Sequence, residues 1–184
     1  MIYFVSSNKH KFNEINLILS NNFGFEIKFI NKGITEIQSE KIEDIAIKKS
    51  IMAFNELRKP IIIEDSGLFI KSLNGFPGPY SSYVLKTIGN EGILKILRNK
   101  ERTATFKAII VYNDGHVLKK FIGETKGNIS KTISDEGWGY DPIFVPYGSY
   151  HSYGVLGEDK KNLISHRNKA INKFAKWFKK TETK

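Results

Sequence analysis

Strand and helix patterns alternate along the first third of the chain, and this alternation restricts the fold to the α/β class. Runs rich in β-branched and aromatic residues, typical of strands, cover 2–6, 25–30 and 61–63. Between them, apolar residues recur at helical spacing over 9–19 and 40–57. Strands that alternate with helices pair in parallel, with the helices on the faces of the sheet. We therefore expect a parallel sheet at the start of the fold.

The middle of the chain predicts antiparallel pairing instead. Two β-rich runs, 103–112 and 116–124, flank Asp114-Gly115, and an Asp-Gly pair at such a position is a strong hairpin signal. A third antiparallel strand is predicted over 126–133, and one amphipathic helix is predicted to end the chain. Parallel and antiparallel strands with helices on their faces predict an α/β fold with a mixed sheet.

Length and composition favour one globular domain over 1–184, without a separable linker. The 184 residues match the size of one domain. The longest apolar runs are strand-sized, far below the roughly 20 residues of a membrane helix, so we expect no membrane partner. The N-terminus lacks the pattern of a secretory signal, which makes the cytoplasm the expected location. Because there is no cysteine, any metal must be bound by oxygen or imidazole, which favours Mg²⁺.

The chain carries a formal net charge of +10, from 29 Lys and Arg against 19 Asp and Glu. A positive field concentrates polyanions, so an enzyme that acts on nucleotides and a basic protein that binds nucleic acid both stay open. Acidic residues at strand ends count against the second class, because carboxylates repel a phosphate backbone. We therefore expect no nucleic acid partner.

Small polar residues follow the first strand at a position suited to phosphate. Ser6, Asn8 and Lys11 lie where this strand leads into the first helix. A helix N-terminus presents free N–H groups and the positive end of the helix dipole, and both favour phosphate. Lys11 lies one turn into the helix, on the side of Asn8, and adds a positive charge.

Two acidic residues, Glu64 and Asp65, come directly after the apolar run 61–63, and Ser66 then begins a turn. Ligands of α/β sheets bind at the carboxyl ends of strands, so these carboxylates are candidates for binding Mg²⁺ or a reacting water. Adjacent strand residues face opposite sides, so the two are not expected to do the same job. Glu36 is a further candidate, and three carboxylates would match the oxygen coordination of Mg²⁺.

Two segments nearer the C-terminus suit a planar base. In the first, glycines lie beside aromatic and acidic residues, so a ring could stack on a base and a carboxylate could accept from its edge. Its candidates are Trp138, Tyr140 and Asp141. The second segment offers the donors that a keto purine needs. Its candidates are Lys161, His166 and Arg167.

Five motifs occur together in one order and with compatible spacing. They are Ser6-Ser7-Asn8 with Lys11 and Glu14, Glu64-Asp65-Ser66-Gly67, Phe76-Pro77-Gly78-Pro79-Tyr80-Ser81, Gly139-Tyr140-Asp141-Pro142 and Ile164-Ser165-His166-Arg167. On these motifs the chain, from about Tyr3 to Trp177, resembles the inosine triphosphate pyrophosphatase family, also called Ham1-like. The resemblance implies an elongated mixed sheet flanked by helices, in two lobes with an active-site cleft between them, and a homodimer.

The resemblance also implies an activity and roles for single residues. The activity is hydrolysis of ITP, dITP and XTP to the monophosphate and pyrophosphate, with Mg²⁺ required and Mn²⁺ as a substitute. Asn8 and Lys11 would hold the triphosphate, with Ser6 and Ser66 as further substrate contacts. The metal would lie among Glu36, Glu64 and Asp65, with Asp65 as general base, although which of the three bind the metal stays open. The purine base of the substrate would be held by Trp138, Tyr140 and Asp141. The keto edge of the purine would be recognised by Lys161, His166 and Arg167.

Three positions depart from the family pattern. Ser6-Ser7 replaces Thr-Gly, Trp138 stands where phenylalanine is frequent, and Val155 stands where glutamate is common. The nearest alternative within the same chemistry is a pyrophosphatase for modified pyrimidines, dTTP or UTP. The Ser165-His166-Arg167 element favours a keto purine.

Overall fold

The structure is a computed structural model that describes residues 1–182, and it contains a mixed six-stranded sheet flanked by helices. The strands are β1 (Tyr3–Ser6), β2 (Lys28–Asn31), β3 (Ile61–Ile70), β4 (Thr103–Asn113), β5 (Leu118–Ile129) and β6 (Phe144–Pro146). The helices are α1 (Lys9–Phe23), α2 (Ile42–Leu57), α3 (Ser81–Thr87), α4 (Gly89–Ile96), α5 (Tyr153–Ile164) and α6 (His166–Glu182). Two short 3₁₀ turns, Lys71–Leu73 and Gly78–Tyr80, lie between β3 and α3.

The strand order is β2-β1-β3-β4-β5-β6. β1 pairs in parallel with both β2 and β3, whereas β5 pairs antiparallel with β6. The predicted α/β class and mixed sheet are therefore confirmed. Among residues 1–182, no helix is long and apolar enough to cross a bilayer.

Local sequence signals explain where the first helices begin and end. The Asn8 side chain caps α1 by accepting from the Lys11 amide, and Gly24 ends the helix in the left-handed conformation at φ 69°. Helix α2 ends at Leu57 because Arg58 turns left-handed at φ 49° and Pro60 follows shortly after. These two ends bring the chain back into the sheet as β2 and β3.

Contacts divide the chain into two compact units. The first unit comprises Met1–Asp65, Ala108–Gly123 and the chain from Arg167 onward, and the second comprises Ser66–Lys107 and Glu124–His166. The predicted cleft stays a prediction.

Successive side chains of β3 point to opposite faces of the sheet, so the core of the first unit lies on both faces. Ile62 packs in a cluster with α1 and α6 residues such as Ile15 and Phe174, whereas Ile61 and Ile63 pack in another cluster with residues of α2 such as Ala53. The second unit has its own cluster, and its large members include Leu68, Phe106, Phe144 and Tyr153.

Three predicted elements are wrong. The turn predicted at Ser66 is not formed, because β3 continues through Glu64, Asp65 and Ser66 to Ile70, which places the two acids in the middle of the strand. The segment predicted as a third antiparallel strand is in part the end of β5, which runs without a break to Ile129. The single C-terminal helix is in fact two helices, because Ser165 adopts an extended conformation and separates α5 from α6. Leu163, one of the apolar residues on which the single amphipathic helix was predicted, is 74% exposed on α5. The break is important for the site, because it lies between Lys161 and Arg167.

Candidate active site

The end of β1 and the start of α1 form a closely bonded polar turn in the first unit. The Asn8 amide donates to Ser6 Oγ at 3.1 Å, and the Lys11 amide donates to Asn8 Oδ1 at 3.1 Å. The Lys11 ammonium lies 2.7 Å from Glu64 Oε2, and the contact is an ion pair. Thus the structure brings Ser6, Asn8 and Lys11 together and connects them to Glu64 in the middle of β3.

Glu64 and Asp65 face opposite sides of β3, as the period of a strand predicts. Glu64 pairs with Lys11 of α1 and with Arg167 of α6, whereas Asp65 pairs with Lys49 of α2. Both residues are buried: Glu64 is 2% exposed and Asp65 is 7% exposed. The two acids therefore have separate ion-pair partners. Ser66 follows them and is half-buried.

Lys49 is a site residue that the sequence analysis missed. Its ammonium lies 2.7 Å from Asp65 Oδ1 and 2.8 Å from Glu36 Oε1, so it connects the two acids. In the sequence Lys49 stands on the apolar face of α2, at helical spacing from Ala46 and Ala53, which are fully buried. A lysine at such a position needs an acidic partner, and this was the available signal.

The surroundings shift the pKa values of this pair. Burial raises the pKa of Asp65 above its ordinary value, and the positive charges of Lys49 and Lys11 offset this only in part. Burial alone would lower the pKa of Lys49, but its charge interactions and hydrogen bonds with Asp65 and Glu36 outweigh that effect and raise the pKa. A carboxylate with a raised pKa is a stronger base, which suits a group that takes a proton from water.

We expect the pKa of Asp65 to rise further when Lys49 is replaced by methionine. The lysine stabilises the charged carboxylate, so its removal favours the protonated form. Carbon-13 NMR of the Asp65 carboxyl group, in protein treated with a chelator, should place its pKa above the ordinary value of about 3.9 and higher again in Lys49→Met. Lys48→Met, at the neighbouring exposed position, is the control and should change nothing. A lower Asp65 pKa in Lys49→Met would contradict this interpretation of the pair.

The donor set at Asp65 fits a hard divalent cation. Asp65 Oδ2 is buried and has no hydrogen-bond partner among residues 1–182, so one carboxylate oxygen remains available. Glu36, whose side chain is 58% exposed, offers a second carboxylate through the shared Lys49. Carboxylate oxygens are the ligands that Mg²⁺ prefers, with waters and phosphates completing its shell.

The three predicted metal ligands do not form one cluster in the described part of the chain. Within residues 1–182, no three acidic or histidine side chains lie together as a metal site. Glu36 and Asp65 share Lys49, whereas Glu64 is engaged by Lys11 and Arg167. The geometry thus favours Glu36 and Asp65 over Glu64 as metal ligands.

Arg167 lies in the first unit, where it holds two acids. Its Nε donates to Glu64 Oε1 at 3.1 Å, and its Nη1 donates to Glu14 Oε2. All three side chains are at most 4% exposed. Glu14 is a second residue that the sequence analysis left without a role, although an acid beside Ile15 on the buried side of α1 indicates a buried ion pair. Arg167 therefore connects α1, β3 and α6.

The second unit places Trp138, Asp141 and Lys161 together. The Lys161 ammonium donates to Asp141 Oδ2 at 2.6 Å and lies 4.8 Å from the centre of the Trp138 ring. Lys161 and Asp141 are both buried, so this charge pair is shielded from water and rigidly placed. An aromatic ring beside a buried ammonium offers a stacking surface and a donor, as the sequence predicts for a base.

Tyr140 and His166 lie deeper in the second unit. The Tyr140 hydroxyl donates to the Ser81 carbonyl oxygen at 2.8 Å, and burial raises the pKa of this hydroxyl. The His166 ring stacks on Phe106, with 4.4 Å between ring centres and 5° between planes. Tyr140 thus anchors its own loop, and His166 is held at the start of α6 by the core.

The chain matches the model of the Ham1 family over residues 2–177. A dITP/XTP pyrophosphatase from Methanopyrus kandleri is 44% identical over 181 residues, which are 97% of this chain and 96% of the relative. One from Pyrococcus horikoshii is 45% identical over 181 residues, with the same coverage. Among solved structures, the Staphylococcus aureus Ham1 protein has a TM-score of 0.81 at 30% identity, covering 97% of this chain and 99% of its own. A HAM1 protein from Coxiella burnetii has a TM-score of 0.82 at 27% identity, covering 98% and 100%.

The family match spans nearly the whole chain, and the relatives are matched over almost their full length. The polar turn after β1, the acids in the middle of β3 and the Trp138–Lys161 group all lie inside the matched residues. This chain is a member of the Ham1 family.

Proposed function

We propose that this chain is a dITP/XTP pyrophosphatase, which hydrolyses ITP, dITP and XTP to the nucleoside monophosphate and pyrophosphate. The reaction removes these non-standard nucleotides from the nucleotide pool. The single observation that carries the proposal is the identity of 44% and 45% to relatives of that name over nearly the whole chain. The buried base Asp65 and the shielded Asp141–Lys161 pair supply chemistry that the reaction needs.

Residues of the first unit act on the phosphates in this proposal. Ser6, Asn8 and Lys11 bind the triphosphate, because a positive charge and helix N–H groups lie together at the start of α1. Ser66, which follows Asp65 and is the first residue of the second unit, is a further phosphate contact. Arg167 acts indirectly, since it holds Glu64 in place beside Lys11.

Asp65 is the general base. A water attacks the α-phosphorus, its proton passes to the Asp65 carboxylate, and the bond from the α-phosphorus to the bridging oxygen breaks as pyrophosphate leaves. Glu36 and Asp65 would hold Mg²⁺, or Mn²⁺ in its place, with Glu64 as the remaining candidate. Such an ion supplies positive charge that neutralises the triphosphate. Lys49 keeps the Asp65 carboxylate oriented and charged.

Residues of the second unit recognise the purine base of the nucleotide. Trp138 stacks on the purine, and Lys161 and His166 offer donors to its 6-keto oxygen, with Asp141 fixing the Lys161 ammonium. Adenine presents an amino donor at that position, so these donors would disfavour it. Tyr140 anchors the segment that carries Trp138 and Asp141, because its hydroxyl donates to the Ser81 carbonyl oxygen.

We further propose that the chain works as one domain, as a cytoplasmic homodimer, with no nucleic acid and no membrane as partners. The resemblance to the family is the support for the homodimer. The buried acids Glu64 and Asp65 of β3 count against a nucleic acid role.

The proposal is tested by measuring pyrophosphate release from dITP, XTP, dATP, dGTP and dTTP, with Mg²⁺ and with excess chelator. We expect kcat/KM for dITP and XTP to exceed that for dATP by about 100-fold or more, because a site built from donors rejects a base that presents a donor. Chelation should abolish release. Preference for dTTP would indicate a pyrimidine enzyme, and equal use of dATP would contradict selectivity for keto purines.

A further inference from the structure

The segment Gly137–Asp141, which we call the base loop, is a tight turn with unusual backbone freedom. Two of its glycines are left-handed, Gly137 at φ 93° and Gly139 at φ 67°. The turn is closed by a 3.1 Å hydrogen bond from the Asp141 amide to the Trp138 carbonyl oxygen. A peptide next to a left-handed glycine reorients at low cost, so the Gly139 carbonyl needs an outside contact to keep one direction.

Asn90, near the start of α4, supplies that contact. Its Nδ2 donates to the Gly139 carbonyl oxygen at 3.0 Å, across 49 residues of chain. Gly139 lies directly between Trp138, which stacks beside Lys161, and Tyr140, which is anchored on Ser81 at the start of α3. The base loop is therefore held by two side-chain contacts. Tyr140 connects it to the start of α3, and Asn90 connects it to α4.

The amide of Asn90 is poorly explained by stability alone. Its Oδ1 is buried and has no hydrogen-bond partner among residues 1–182. A buried acceptor without a partner destabilises a fold, so an apolar side chain at this position would lose one hydrogen bond and also remove that penalty. The hydrogen bond to the Gly139 carbonyl oxygen is therefore the contribution that the Asn90 side chain makes at this position.

We propose that Asn90 is a positioning residue for purine recognition: it fixes the Gly139 carbonyl and thereby the relative placement of Trp138 and Asp141. The inference rests on the proposed function, because it assigns the base loop to the purine. Asn90 acts through the loop and makes no contact with the reacting atoms, so its effect should fall on nucleotide binding and not on the chemical step.

The test compares Asn90→Leu and Asn90→Asp with Glu91→Gln, an exposed neighbour on the same helix. Neither Asn90 variant can donate to the Gly139 carbonyl, and the aspartate keeps the shape of the side chain. We expect KM for XTP to rise about tenfold in both, the effect of one buried hydrogen bond, with kcat changed by less than about twofold. Hydrogen exchange of the Gly139 and Tyr140 amides in the nucleotide-free protein should accelerate about tenfold, and Tm should change by less than about 4 °C.

Each outcome decides the matter. Faster exchange in the base loop together with a KM effect in both variants, and neither in Glu91→Gln, supports the proposal. Unchanged exchange and KM in Asn90→Leu overturns it, as does a fall in kcat as large as the rise in KM. If the unaltered protein cleaves no XTP, the proposed function has failed, and the exchange rates still decide whether Asn90 holds the loop.

Discussion

Replacement of Asp65 by asparagine is expected to lower kcat for pyrophosphate release from XTP by about 10³-fold, with little loss of fold. Asparagine keeps the size of the side chain but cannot accept a proton from water, and general bases contribute about 10²–10⁴-fold to rate. Asp65 is buried, its pKa is raised by that burial, and its Oδ2 has no hydrogen-bond partner within residues 1–182. These are the properties of a base that is ready to receive a proton.

The matched control for this variant is Asp159→Asn, which removes an acid from an exposed position and should leave kcat unchanged. Circular dichroism and Tm should show that Asp65→Asn is folded, so that the loss belongs to the reaction. A kcat within about tenfold of the unaltered protein would rule out Asp65 as the general base.

Replacement of Arg167 by methionine is expected to lower the free energy of unfolding by about 3–5 kcal/mol. The Arg167 side chain is 2% exposed and pairs with the buried acids Glu14 and Glu64, so its removal takes an ion-pair partner from two buried carboxylates. Lys11 still pairs with Glu64, so the larger penalty falls on Glu14. Urea denaturation of the two proteins gives the difference directly.

The double variant Arg167→Met with Glu14→Gln provides the sharper comparison, because it also removes the buried charge of Glu14 and should recover part of the loss. Arg98→Met, at an exposed position, should change the free energy of unfolding by less than about 0.5 kcal/mol. A cost below about 1 kcal/mol for Arg167→Met would show that the acids are not held by this arginine.

The fold class could be predicted because its signals are local. The period of apolar residues identifies α1, α2 and β3, and Asp114-Gly115 forms the expected turn, with Gly115 at φ 90° and Asp114 Oδ1 accepting from the Val117 amide. The break at Ser165 was missed because Ile164, Ile171 and Phe174 fit one helical stripe, although the five residues 165–169 between them are all polar. Strand order depends on contacts between distant residues, which no local period encodes.

The site could be predicted only for residues whose types suggest chemistry by themselves. Acids directly after an apolar run and a tryptophan among glycines stand out in a sequence, whereas Lys49 and Glu14 look like exceptions on apolar helix faces. Their roles depend on which acid or base lies opposite in the fold, at Asp65 and Arg167. Asn90 gives no sequence signal, because its partner is a backbone carbonyl.

Hydrolysis of dITP in water enriched in oxygen-18, with Mg²⁺ present, tests the central claim most directly. We predict dIMP and pyrophosphate as products, with the label in the phosphate of dIMP and none in pyrophosphate, because water attacks the α-phosphorus. Label in pyrophosphate, or release of dIDP and orthophosphate, would contradict the account.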